Sequence, residues 1–228
     1  MVFGDVETYP GYQHDISLMD VLLENRQGNF VEVSADVGVT LAEHSNAVAT
    51  ADVDNNGYAD LIISNRGLLT HKNEASIWLN IAGKNGKRHF KLSTHHGVVS
   101  TELGASGLGI DTFDYDLDGD VDIVIGNERG KWHLFNNQQS QGNFIIAELP
   151  IIHSSGKAVN GALVKISACD KTQQQRVGAT GAMYSSTFNN FIHFGLGDCK
   201  QPVDVKVVWS NGSESTQRSP VNTRIKVH

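Results

Sequence analysis

The sequence predicts an all-β fold: a partial, open β-propeller of about two and a half blades, followed by a smaller β domain. Two aspartate-rich loops recur at a fixed spacing, each loop runs straight into an apolar β-branched strand, and helix signals are poor. The loops read "DVDNNGYAD" (52–60) and "DYDLDGDVD" (114–122), which sets the repeat at 114 − 52 = 62 residues. Units of that length, with about four strands each, have the size of propeller blades. No long stretch carries a capped 3.6-residue apolar period. Glycine, 23 of 228 residues, exceeds the usual share of about 7%, as many short strands and tight turns require.

In chain order, the first unit is incomplete. "VFGD" (2–5) matches "IVIG" (123–126), and "DVLLEN" (20–25) matches "WHLFNN" (132–137), so Met1 falls where a blade's second strand begins. The chain therefore reads as the C-terminal piece of a longer protein, or as a natural short form that covers its open edges by self-association. "GNFVEVSADVGV" (28–39) is echoed by "RHFKLSTHHGVV" (88–99), each expected as an alternating strand that ends in a glycine turn. "HSNAVATAD" (44–52) and "SGLGIDTFD" (106–114) are small-residue strands entering the loops. After each loop come a buried strand, "LIIS" (61–64) or "IVIG", and another, "ASIWLN" (75–80) or "KWHLFNN" (131–137). Trp78 and Trp132 fall at equivalent blade positions and are expected as wedges between blades. The blades occupy 1–142 and the second domain 143–228.

Carboxylates crowded into a loop repel one another unless a cation sits among them. Alternating acids followed by a glycine at the sixth position open a calcium loop. The expected ligands are the side chains of Asp52, Asp54, Asn56 and Asp60 with the Tyr58 carbonyl, and those of Asp114, Asp116, Asp118 and Asp122 with the Asp120 carbonyl. Neither loop is an EF-hand, because its twelfth position is Ile63 or Ile125 rather than Glu. An all-oxygen set of six or seven donors suits Ca²⁺ better than Zn²⁺ or Mg²⁺, so two Ca²⁺ sites are expected. A solvated Asp/Asn/Gly turn is the bland alternative, and the second copy in register weighs against it.

A net charge of −7 with no basic stripe disfavours nucleic acid as a partner, and no apolar run approaches a membrane span. Cys169 and Cys199 are compatible with one disulfide, expected here to form; two buried free thiols are the alternative. "MVFGDVETYP" has neither the basic n-region nor the apolar core of a signal peptide. Neither G-x-S-x-G nor H-E-x-x-H occurs, and His95 and His96 read as polar surface beside a turn.

The loops resemble FG-GAP/VCBS-type repeats, the calcium-loop blades of integrin α-chains and many secreted bacterial proteins. "NGALVKISA" (160–168), "QQRVG" (174–178), "HFGLG" (193–197) and "VKVVWSNG" (205–212) resemble the ASPIC/UnbV domain of the cartilage acidic protein-like family. The resemblance implies a small β-sandwich-like domain after the blades. Ser210 stands where that family usually has proline, and "ATGAMYS" (179–185) keeps its glycine-rich segment only loosely.

Three functions are open. The first is an extracellular, secreted or periplasmic, calcium-binding and non-enzymatic adhesion module with a protein or glycan partner. The second is a C-terminal fragment of a secreted hydrolase or lyase, and the third a structural spacer of a large adhesin. No catalytic residue is assigned, and fold alone does not choose among them.

Overall fold

The computed structural model describes residues 2–3, 20–40, 45–65, 72–128, 130–138, 141–151, 158–178 and 189–228. Met1, the end of "VFGD", His44 and the "ATGAMYS" segment lie outside the described residues. The architecture is all-β; the described residues form one short α-helix and several small sheets, none of them closed into a barrel. It agrees with an open propeller followed by a sandwich.

The first sheet joins β1 (Val2–Phe3), β2 (Val21–Arg26) and β3 (Asn29–Glu32) in that order. It is followed by α1 (Ser34–Val37), a single helical turn. The expected strand over 28–39 is therefore shorter, ending at Glu32. Ser34 Oγ accepts the Leu22 amide (2.7 Å) instead of leaving the ladder open, and Gly38 ends the turn in the left-handed region. Gly38 lies so close to His89 and the Phe90 carbonyl that a Cβ would not fit.

The second sheet is a complete four-stranded unit. β4 (Ser45–Ala51) and β5 (Asp60–Asn65) flank the first acidic loop. β6 (Lys72–Glu74) lies outside this sheet, and β7 (Ser76–Ala82) and β8 (Arg88–Leu92) complete the order β4-β5-β7-β8. β9 (Val99–Leu103) pairs with β6 in a separate ribbon. β10 (Gly107–Phe113), β11 (Asp122–Asn127) and β12 (Trp132–Phe135) repeat the pattern with three strands rather than the expected four. Even the register irregularity recurs, at Ser45/Ala47 and at Gly107/Gly109, one 62-residue repeat apart.

β5 is buried along its whole length because it is sandwiched between neighbours. Leu61 and Ile63 pack with Trp78 and Val39 towards the first sheet, whereas Ile62 and Ile77 pack with Ile110, Ile123 and Ile125 of the next. Each such aliphatic, fully buried, contributes about 1.5–3 kcal/mol. The sheets thus stack face on face.

Trp132 departs from expectation. Trp78 stands opposite Leu61, and the residue in that place in the next unit is Phe135, opposite Ile123. Trp132 lies three residues earlier, across from Gly126, and is 78% exposed. It is no wedge: a shared spacing from the tryptophan to the strand's end does not hold across the two units.

After β12 the chain enters β13 (Asn143–Glu148), which lies between the later strands β16 (Phe191–Gly197) and β19 (Thr223–Lys226), antiparallel to the first and parallel to the second. The facing sheet has the order β15-β14-β17-β18, from β14 (Leu163–Ala168), β15 (Lys171–Arg176), β17 (Val203–Val208) and β18 (Glu214–Ser219). Alternate residues face inward, Val164 and Ile166 from β14 and Val203, Val205 and Val207 from β17, against Ile145, Phe194 and Ile225. Trp209, just past β17, is buried in this core with its Nε1 donating to Ser215 Oγ (2.9 Å). Ser210 donates its hydroxyl to the Ala158 carbonyl (3.1 Å), a bond the proline usual at this position would lack.

Candidate metal centres

Both acidic loops adopt one hydrogen-bonded form. The first-position carboxylate accepts the amides of positions five and six: Asp52 from Asn56 (2.9 Å) and Gly57 (2.7 Å), Asp114 from Asp118 (3.1 Å) and Gly119 (2.9 Å). The fifth-position side chain accepts the seventh amide, Tyr58 to Asn56 Oδ1 and Asp120 to Asp118 Oδ1, both at 2.9 Å. The closing carboxylate accepts the second-position amide, Val53 to Asp60 and Tyr115 to Asp122, both at 2.9 Å. Residues four and six are left-handed in each loop, Asn55 with Gly57 and Leu117 with Gly119. Glycine is the residue that takes such a φ at no steric cost.

This folding converges oxygens. Ligand atoms of Asp52, Asp54 and Asp60 lie within 4.8 Å of one another, and so do those of Asp114, Asp116 and Asp122. Either group is able to hold a metal ion. Asp118 stays outside the second group, with one oxygen bonded to the Asp120 amide. For Tyr58 and Asp120 the bonded backbone group is the amide.

The electrostatics suit a bound cation. Burial pushes the Asp60 carboxyl up to about 7; the Asn80 and Val53 amides oppose that shift, the Asp54 charge adds to it, and Arg88 counters it. Burial also raises Asp52, with Asp60 and Asp54 repelling its charge against the Gly57 and Asn56 amides. Asp114 and Asp122 are raised in the same sense, again mainly by burial. Amides aim these oxygens while burial disfavours their charge, and a hard cation would supply the missing compensation.

Sequence reasoning missed the residues that close the loops from outside. Asn80, at β7, gives its amide to Asp60 Oδ1 (2.6 Å) and its Nδ2 to the Ala59 carbonyl (3.0 Å). Asn137 repeats this after β12, with its amide on Asp122 Oδ1 (2.8 Å) and Nδ2 on the Val121 carbonyl (3.2 Å). The asparagines ending "ASIWLN" and "KWHLFNN" were the available signal. Among the described residues Arg88 has no such echo: it bonds the Asn80 side chain and carbonyl and lies over the Tyr58 ring, 3.3 Å from its centroid.

The loops also touch the later sheets. His193 of β16 is half-buried, desolvation lowers its pKa to about 4 and keeps the ring neutral, and its Nε2 meets the Gly119 carbonyl at 2.9 Å. A carbonyl only accepts, so Nε2 carries the proton. Phe144 stacks beside it, with ring centroids 6.1 Å apart. This strand is the "HFGLG" segment. Residues 153–228 match the family model described as ASPIC and UnbV. No curated protein matches the chain.

Within the ASPIC and UnbV segment, Cys169 and Cys199 form a disulfide with Cα atoms 6.0 Å apart. It ties the end of β14 to the end of β16, one from each facing sheet. A cleft of about 800 Å³ runs between this segment and the loops, lined by Asp52, Tyr58, Asp111, Gln175, Phe191 and His193 among others. The paired histidines divide. His95 is exposed, but His96, expected at the surface, has a largely buried side chain that accepts the Val98 amide (3.1 Å) and lies 3.6 Å from Glu74.

Proposed function

We propose that the chain is an extracellular calcium-binding module that binds a partner without catalysing a reaction. Its Ca²⁺ is structural, held in two FG-GAP/VCBS-type blade loops ahead of the ASPIC and UnbV segment, with the blades at 1–142 and the second domain from 143. The observation that carries this reading is the shared bonding of two loops a repeat apart, each converging three carboxylates, of which burial makes the first and the closing one costly to ionise. Asn56 and Asp118 at position five and the Tyr58 and Asp120 carbonyls at position seven would complete the shells. A disulfide fits an oxidising compartment, where Ca²⁺ is abundant. No helix among the described residues is long and apolar enough to cross a membrane. The cleft between loops and later sheets is the natural seat for a protein or glycan partner.

Thermal melting tests the calcium reading. For sites of Kd about 10⁻⁴ to 10⁻³ M, 10 mM Ca²⁺ adds roughly 1.4–2.7 kcal/mol per site over the chelated protein. The midpoint is expected to rise by several degrees on replacing EGTA with Ca²⁺, and an unmoved midpoint would sink the reading.

A further inference from the structure

We infer that the two cation loops are coupled to each other and to β16 through the carbonyl of Gly119, so that filling one loop tightens binding at the other. This rests on the cation-binding reading above and adds a regulation to it.

Asn55, the fourth residue of the first loop, is fully buried and held at φ 58°. Its Nδ2 donates to the Gly119 carbonyl (2.9 Å) and meets Asp120 Oδ1 at 3.3 Å. Gly119 and Asp120 are the sixth and seventh residues of the second loop. The same carbonyl takes His193 Nε2 from β16, and the Asn55 carbonyl takes the Gly197 amide at 2.7 Å. Three segments therefore share one short peptide stretch.

Little slack remains around it. A Cβ on Gly195 would overlap the Asp52 carboxylate, one on Gly142 would overlap the Asn55 carbonyl, and one on Gly119 would overlap the Phe144 ring. Backbones meet directly, so a shift in one loop passes to its neighbours instead of being absorbed. Asp54 already accepts the Asn56 Nδ2 (3.0 Å) and amide (3.1 Å), and an ion bound by these two side chains would fix the Asn55 peptide between them. Asn55 then holds the 119–120 peptide, next to the carbonyl that the second loop offers at its seventh position. The ordering cost of the second loop is lowered in advance, which is positive coupling. Linkage makes the effect reciprocal.

Calcium titration of the full chain by calorimetry tests this. Asp54→Ala disables the first loop, and Asp116→Ala the second. Each is expected to weaken the site left intact by about fivefold or more, and by the same factor in both directions. Asn55→Gly keeps the left-handed backbone but deletes the bridge. In that background both loops still fill, and disabling one leaves the other unchanged within about twofold, against the fivefold of a coupled pair. Hydrogen exchange on the unmutated chain needs no variant: the Gly197 amide is expected to lose protection when Ca²⁺ is chelated. Two ions bound with affinities indifferent to the other loop would overturn the coupling and leave the cation reading standing. Unchanged Gly197 protection would remove β16 from the unit. No ion bound at all would overturn both readings.

Discussion

Asp60 and Asp122 close equivalent loops, yet their surroundings differ. Both are buried, but Asp60 feels the Arg88 charge, whereas the second loop has five aspartates and, among the described residues, no arginine in that role. In the metal-free protein, burial gives Asp60 a folded pKa of about 7 against an ordinary 3.8. The folded state therefore holds a proton that the unfolded chain has released between those values, and stability is present below the window and lost as pH rises through it. The slope is at most about 1.4 kcal/mol per pH unit for this group. Dialysed protein is expected to melt lower at pH 7.5 than at pH 5. Ten millimolar Ca²⁺ is expected to abolish or reverse that order, because the ion favours the charged carboxylate. Melting curves at the two pH values check it, and a metal-free midpoint that climbs with pH would contradict it. Within the second loop, Asp116→Ala is expected to cost more Ca²⁺ affinity than Asp120→Ala, since Asp116 belongs to the converged group and the Asp120 side chain faces Asn55. Calorimetric Kd values for the two variants decide it.

At the level of elements, the Cys169–Cys199 bridge joins the ends of β14 and β16 across facing sheets. Its sequence separation of 30 residues implies up to roughly 3–4 kcal/mol from loop closure. Reduction is expected to lower the melting midpoint and to raise exchange along β16, read by mass spectrometry with and without reductant. The strands around each loop were legible in the sequence because loop, apolar run and turn are all local patterns. The α1 turn was not: Ser34–Val37 alternates as a strand would, and only the Leu22 bond to Ser34 and the packing of Gly38 on β8 decide otherwise. Spacing singled out Asp52, Asp54 and Asp60, whose oxygens the structure brings together, since groups within nine residues are set by the loop itself. Asn55, Asn80 and Asn137 escaped notice because their roles depend on partners 15 to 64 residues away, which no local period encodes.

For the whole molecule, the stacking of sheets predicts which surface is left unmatched. Ala75 and Ile77 of β6–β7 are buried against the next sheet, at 5% and 4% exposure. By the pairing of β11 with β12, Leu134 takes the place of Ile77, across from Val124 as Ile77 is across from Ile62. Trp132, two residues earlier, takes the place of Ala75. Trp132 is far larger than Ala75 and Leu134 is an isomer of Ile77, yet Trp132 and Leu134 are 78% and 48% exposed. At the opposite end, β3 exposes Phe30 on the side of the first sheet turned away from Leu22, which packs inward. Trp132 and Leu134 on one sheet and Phe30 on the first are thus exposed apolar side chains, and we expect a second copy to cover them. Tryptophan fluorescence reports this directly, because Trp78 and Trp209 are both buried. In dilute solution iodide is expected to quench one component of the emission, and Trp132→Phe is expected to remove it. As concentration rises, that component is expected to become protected while light scattering shows the mass increasing, and Leu134→Lys is expected to prevent both changes. A monomer whose Trp132 stays equally quenchable at every concentration would show that no second copy covers these side chains.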